Sequence, residues 1–158
     1  MKKLILCLLV VASFVSSALA YSDRPAQLSP FTSDGCSNWP EGPRGNRNLW
    51  RECCFVHDIS YWMGGPRAER LKADRELSSC VKSKGAGLNS ILMYIGVRIG
   101  GGPHRMTSYR WGYGWNQLRG FRSLSASERA AVVEELDVAQ FTSAEAAWVA
   151  RFRAENDI

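Results

Sequence analysis

The sequence predicts a mainly α-helical domain built on a disulfide-linked antiparallel pair of helices, with additional helices towards the C-terminus. Residues 49–63 and 67–82 carry apolar side chains at helical spacing, and only Gly-Gly-Pro at 64–66 separates them. Such a short connection makes the two helices antiparallel neighbours. Four cysteines lie outside the first twenty residues, which is enough for two disulfides.

The first twenty residues have the pattern of an export signal. Two lysines precede an apolar run over residues 4–15, and Ala-Leu-Ala at 18–20 is typical of a signal-peptide cleavage site. We therefore predict a leader over 1–20 and a single secreted or periplasmic domain over 21–158. The sequence leaves the oligomeric state open, with a monomer as the expectation.

The remaining cysteines are Cys36, Cys53, Cys54 and Cys80. An even count in an exported chain indicates two disulfides. Adjacent cysteines on a helix point to different sides, so a Cys53–Cys54 bond is sterically poor and two pairings stay open. The alternative is a zinc site formed by cysteines and His57. An oxidising compartment and the lack of a C-x-x-C pair argue against it.

Four polar residues on the predicted helix pair are candidates for chemistry. His57 and Tyr61 share one helical stripe, and Asp58 lies on the adjoining face. On the second helix, Asp74 is a carboxylate within an otherwise apolar stripe and comes level with His57. A histidine that donates to a buried carboxylate is fixed in one tautomer and becomes a better base.

The loop before the central helix, residues 34–43, is rich in glycine, proline and oxygen-bearing side chains. It is equally compatible with a disulfide-pinned surface turn and with a loop that directs carbonyls towards a cation. Asp58 and such carbonyls would suit Ca²⁺. No serine or cysteine nucleophile is evident, so His57 would activate water. Together these groups predict metal-assisted ester hydrolysis.

The pattern Cys-Cys-x-x-His-Asp-x-x-Tyr over residues 53–61 resembles the active-site helix of the secreted phospholipase A2 superfamily. Asp74 precedes Cys80 by six residues, as the aspartate that pairs with the histidine does in animal members. Asp-Gly-Cys-Ser at 34–37 is similar to the calcium-loop region of divergent members. The likeness covers about residues 31–81, and the short helix connection resembles compact microbial members.

The resemblance implies a phospholipase A2-type helix pair and a calcium-dependent carboxylic ester hydrolase acting on the sn-2 ester of glycerophospholipids. It makes His57 the base, Asp74 its orienting partner and Tyr61 a hydrogen-bond donor that holds Asp74. It also implies the disulfides Cys36–Cys54 and Cys53–Cys80.

The resemblance further assigns a calcium site and a partner. Calcium would bind Asp58 together with Gly35, Ser37 and Trp39 of the loop. The partner would be a phospholipid membrane surface. The formal net charge of +5 falls to +3 without Lys2 and Lys3 of the predicted leader, a mild basic bias that permits contact with anionic surfaces. No nucleic-acid partner is expected.

The chain also departs from the family pattern. Ser37, Asn38 and Trp39 stand in place of the usual glycine-rich calcium loop, and residues from about 88 to 158 match no part of the family. The departure in the loop favours an alternative, a catalytically silent binding or toxin-like module of the same fold. A small structural domain with a chance motif is a third interpretation.

The C-terminal part is predicted from local patterns. Residues 88–99 are apolar and predict a helix. Aromatic residues alternate with others over 109–115, which predicts an extended strand or arm with its rings capping the core, or alternatively a lipid-facing surface. Capping-box spacing at Ser125 and Thr142 predicts the starts of two further helices.

Overall fold

The computed structural model describes residues 26–158, so the predicted leader over residues 1–20 lies outside them. Five α-helices follow in order: α1 (Arg51–Met63), α2 (Arg67–Ser83), α3 (Gly87–Gly100), α4 (Ala126–Val138) and α5 (Ser143–Asn156). The described part contains no strand beyond a single β-bridge between Leu28 and Trp115. The mainly α prediction is confirmed. No helix within 26–158 is long and apolar enough to span a membrane.

Helices α1 and α2 run antiparallel, as the short connection predicts. A disulfide joins Cys53, near the start of α1, to Cys80, near the end of α2. At the opposite ends, Arg70 Nε donates to the Tyr61 hydroxyl over 3.0 Å. Helix α3 then returns against α2, where the Ser78 hydroxyl donates to the carbonyl of Ser90. Three helices are thus packed side by side around the polar residues of α1.

Helix α1 is the centre of the molecule, and most of its side chains are buried. One side packs against α4 and α5 in the largest apolar cluster, around Ile59 and Trp62. The other side meets α2 and α3 around Leu77 and Met93. The helix begins at Arg51, later than the predicted 48–49, because the preceding residues are held in turns by their own backbone hydrogen bonds. Polar side chains on α1 are therefore in low-dielectric surroundings.

The predicted extended arm over residues 109–115 is wrong. This tract forms turns, and Gly112 has a φ of +74° that interrupts any strand. Its N–H groups instead bind the last carbonyls of α1: Gly114 N donates to Trp62 O, and the Trp115 indole donates to Met63 O. These carbonyls have no partner within the helix, so the tract caps it. Trp111 and Trp115 are buried, which confirms that these rings cover the core.

The last two helices begin as predicted. Ser125 and Thr142 each accept a hydrogen bond from the backbone N–H three residues ahead, and Glu128 and Glu145 reach back to the cap residue. Both capping boxes are therefore confirmed. The apolar faces of α4 and α5 contribute Val132, Leu136, Val149 and Phe152 to the core against α1.

Candidate active site

His57, Tyr61 and Asp74 converge in the space between α1 and α2. His57 Nε2 lies 3.0 Å from Asp74 Oδ1, and the Tyr61 hydroxyl donates to the same oxygen over 2.8 Å. Asp74 is fully buried and His57 is nearly so. Spacing on α1 and antiparallel packing of α2 are together sufficient to produce this contact. The structure therefore brings together the three residues that the sequence predicts as the catalytic group.

Two arginines complete the surroundings of Asp74. The Arg98 guanidinium, from α3, donates to Asp74 Oδ2 over 2.6 Å. Arg70 lies one turn before Asp74 on α2, with its Nε 3.9 Å from the same oxygen. Arg70 also donates to the carbonyls of Val97 and Arg98, which fixes the end of α3 against the site. A buried carboxylate with several charged donors is well satisfied, so Asp74 is held rigidly.

The protonation of this group follows from its environment. Burial alone would raise the pKa of Asp74, but hydrogen bonds from His57, Arg98 and Tyr61 outweigh it and lower the pKa below its usual value. Asp74 is therefore ionised at neutral pH and can only accept. The proton shared with His57 then resides on Nε2. His57 Nδ1 forms no hydrogen bond with any residue of 26–158, which leaves that nitrogen for water or substrate.

Tyr61 is a donor and not a base. Burial, followed by the charge of Asp74, raises the pKa of its phenol well above the usual value. The phenol thus stays protonated and donates a hydrogen bond to Asp74. The ring also packs against His57, with 4.2 Å between centroids and 34° between the ring planes, so Tyr61 restricts the imidazole as well as the carboxylate.

Asp58 lies beside this group on the next face of α1. Its Oδ2 accepts a hydrogen bond of 2.6 Å from the Ser33 hydroxyl. Burial raises the pKa of Asp58 well above its usual range, and the charges of Asp34 and Glu41 raise it further. No lysine, arginine or histidine within residues 26–158 forms an ion pair with Asp58. A buried carboxylate that feels the negative charge of other acidic side chains favours either a proton or a cation.

The two disulfides fix the loop and the helix pair around the site. Cys36 is bonded to Cys54, and Cys53 to Cys80. This is the pairing that the resemblance implies. The first bond holds the loop over residues 34–43 against α1. It places the loop close to Asp58, because Cys54 is one turn before Asp58. The second fixes the register that places Asp74 beside His57.

His57, Asp58 and Tyr61 line a cavity of about 240 Å³. Gly35, Ser37 and Trp39, which the sequence assigns to a calcium site, lie in its wall. Gly35 and Ser37 have positive φ angles of 73° and 53°, so the loop backbone turns sharply here. Within residues 26–158, no three His, Cys, Asp or Glu side chains converge as a metal site. A cation beside Asp58 would thus depend on main-chain oxygens.

The opposite wall of the cavity is apolar and comes largely from α3. Leu92, Met93, Gly96 and Val97 line it, and Tyr109 adds an aromatic ring. At its far end, Gly101 approaches Tyr61 so closely that a Cβ atom there would lie 2.4 Å from the ring. An apolar chain would therefore fit against α3 while a polar group reached His57.

Sequence reasoning missed the contributions of Arg70, Arg98 and Ser33. Arg70 had a local signal, because it lies four residues before Asp74 on one helical face. Arg98 and Ser33 had none, since both reach the site through tertiary packing. The chain's other histidine, His104, is exposed and does not line this cavity.

The arrangement provides an oriented imidazole, an acidic oxygen site and an apolar slot within one cavity. An imidazole oriented in this way can take a proton from water. Comparisons of the chain with protein-family models, with curated proteins and with solved structures find no match. The site is thus interpreted from its own geometry.

Proposed function

We propose that this protein is an exported, calcium-dependent esterase of the phospholipase A2 type that hydrolyses the sn-2 ester of glycerophospholipids. The observation that carries the proposal is that His57 and Tyr61, both hydrogen-bonded to Asp74, line the same apolar cavity as Asp58. The finer fold belongs to the proposal too. The disulfide pairing and the register of Asp74 with His57 support a helix pair of phospholipase A2 type.

In this mechanism His57 is the general base. Asp74 accepts the Nε2 proton, so neutral His57 presents an unprotonated Nδ1 to a water molecule. His57 takes a proton from that water as its oxygen attacks the ester carbonyl carbon. The imidazolium is stabilised by Asp74 and then gives the proton to the departing alcohol oxygen, releasing a fatty acid and a lysophospholipid. Tyr61 and Arg98 keep Asp74 in place throughout.

The donor set around Asp58 fits a hard cation. Ca²⁺ prefers six to eight oxygen ligands, which include carboxylates and main-chain carbonyls. Asp58 supplies the carboxylate, and the backbone around Gly35, Ser37 and Trp39 would supply carbonyls. A bound calcium ion would add positive charge where the oxyanion develops. It would also neutralise a carboxylate that has no cationic partner among residues 26–158.

The proposal is tested with a phospholipid that carries different labelled acyl chains at sn-1 and sn-2. We expect the disulfide-bonded protein to release the sn-2 chain in the presence of calcium and to stop when a chelator is added. Release of the sn-1 chain, or unchanged release in chelator, would contradict the assigned reaction. Cleavage of a head-group phosphate ester would place the protein in another class of hydrolase.

A second prediction concerns Asp58→Asn. A folded pKa above the unfolded value means that ionisation of Asp58 costs stability as pH rises from about 4. Without calcium, the variant should thus raise the free energy of unfolding at pH 8 and change it little at pH 4. With calcium, the native protein should gain stability and the variant should not. Thermal unfolding with and without calcium measures both effects.

The matched control is Asp34→Asn, which removes an exposed carboxylate from the loop over residues 34–43. It should leave most of the calcium-dependent rise in Tm. An equal rise in Asp58→Asn and in the native protein would move the cation elsewhere.

One observation favours the second candidate function, a catalytically silent binding module. The candidate cation site has a single buried carboxylate, Asp58 of α1, with no cluster of three metal-binding side chains in the described part of the chain. The disulfides and the apolar core stabilise the fold without drawing on a metal ligand. A protein that binds phospholipid but releases no fatty acid under any calcium concentration would be such a module.

A further inference from the structure

Helix α3 has an outer face that is apolar and exposed to solvent. Its members recur at intervals of three and four residues, so they form one stripe along the helix. We call it the α3 stripe; it consists of Leu88, Ile91, Leu92, Ile95 and Ile99, which are 72%, 57%, 42%, 48% and 64% exposed. Single exposed apolar residues are ordinary, but a continuous row along one helix marks an interaction surface.

The inner face of the same helix is apolar as well. Met93 is buried against α1 and α2, and Val97 packs on the same cluster. A helix that is apolar on all sides is normally buried in a large core or in lipid. In α3 only the inner half has a protein partner within residues 26–158, so the outer half calls for a different apolar environment.

The charge around α3 identifies the environment that fits. No acidic residue stands between Glu76 and Glu128, whereas this segment contains several lysines and arginines. Lys82 comes just before α3 and Arg105 just after it; both are exposed and neither forms an ion pair with a described residue. An apolar stripe between unpaired cations complements the acyl chains and the anionic head groups of a lipid surface.

The α3 stripe also borders the candidate active site. Leu92 belongs both to the stripe and to the wall of the cavity beside His57. Gly96, another wall residue on α3, is exposed and has no neighbouring atom within 4 Å of a Cβ position. A surface that covers the stripe would therefore lie at the edge of the cavity, where a lipid chain could enter along α3.

We propose that the α3 stripe is a docking surface for membranes of anionic phospholipid, and that α3 lies in the plane of the head groups with the cavity edge against the lipid. The proposal rests on the proposed function in naming the surface that brings the cavity to its substrate. Binding to a membrane requires no hydrolysis, so the docking surface and the proposed function can be tested separately.

The test uses the disulfide-bonded protein with His57→Gln, so that vesicles stay intact, and measures its partition onto phosphatidylglycerol vesicles by sedimentation. Adding Ile91→Gln and Ile95→Gln should lower the partition coefficient at least about tenfold, because two apolar side chains no longer enter the lipid. Raising salt from 0.1 to 1 M should also weaken binding. Glutamine is a good helix former, so circular dichroism should show an unchanged fold.

The matched control is Val138→Gln, an exposed apolar residue of α4 that is 69% exposed. It should bind vesicles like the parent. Equal binding by the double variant and the parent would overturn the proposal, as would equal losses in the double variant and the control. A third outcome would also overturn the proposal: the parent forms dimers and does not bind vesicles, and the double variant is monomeric. The stripe would then be a self-association face.

Hydrolysis then separates the surface from the reaction. With His57 restored, the double variant should lose activity on vesicles yet keep the parental rate on a dispersed short-chain phospholipid. If the parent binds vesicles through the stripe but cleaves neither substrate, the docking surface stands and the proposed function falls. If it cleaves the dispersed substrate without binding vesicles, the function stands and the docking surface falls.

Discussion

Replacing His57 by glutamine is expected to lower kcat for ester hydrolysis by about 10²- to 10⁴-fold, the contribution of a well-placed general base. Glutamine can still donate a hydrogen bond towards Asp74, so the packing between α1 and α2 should persist. What it lacks is a second nitrogen that can take a proton from water. Steady-state kinetics on a dispersed phospholipid and circular dichroism of the same sample measure both expectations.

The chain offers a matched control in its other histidine. His104 is exposed and outside the cavity, so His104→Gln should keep full activity. If His57→Gln retains more than about a tenth of the native rate, a different group activates the water. Loss of activity with unfolding would mean that His57 has a structural role. Calcium binding by His57→Gln separates a folded, inactive variant from an unfolded one.

Replacing Asp74 by asparagine is expected to damage both stability and activity. The carboxylate is fully buried and accepts hydrogen bonds from His57, Tyr61 and Arg98. The neutral amide would leave the buried guanidinium of Arg70 and that of Arg98 without their counter-charge. Breaking a buried ion pair from one side typically costs about 3–5 kcal/mol. Urea denaturation would give the loss in the free energy of unfolding.

The comparison for this variant is Asp137→Asn. Asp137 pairs with Arg153 at the surface, where its side chain is 57% exposed. Removal of such a pair should cost less than about 1 kcal/mol. If Asp74→Asn is no less stable than Asp137→Asn, the buried network does not stabilise the fold. If Asp74→Asn is as active as Asp137→Asn, Asp74 does not orient His57.

Much of the candidate site could be predicted because its geometry is local. His57 and Tyr61 are one helical turn apart, so their common face follows from the period of the helix. Asp74 meets them because the connection over 64–66 permits only an antiparallel neighbour, and the Cys53–Cys80 bond fixes the register. Each of these constraints can be read from spacing along a single stretch of about thirty residues.

The remainder could not be predicted because it depends on contacts between distant segments. Arg98 reaches Asp74 only because α3 folds back over α2, and nothing in its own neighbourhood indicates this. The tract over 109–115 has the alternation of a strand, yet it forms turns, since its N–H groups satisfy the end of α1. The alternation indicates a preference for a strand. The unpaired carbonyls at the end of α1 accept hydrogen bonds from this tract, and these contacts override that preference.

The exposed face of α3 illustrates the same distinction. The apolar composition of residues 88–99 predicts a helix, which the structure contains, but it does not reveal which side is covered. Only the packing distinguishes buried Met93 from exposed Ile95. A functional surface can thus lie in a segment whose sequence suggests nothing more than a core helix.

We propose that His57 and a calcium ion act together in one cavity to hydrolyse a phospholipid ester. The most direct measurement is fatty-acid release from phosphatidylglycerol vesicles by the native protein and by His57→Gln, each with calcium and with a chelator. We predict rapid release in one of the four samples only, the native protein with calcium. Release by His57→Gln at the native rate, or no release by a native protein that binds both calcium and the vesicles, would contradict the account.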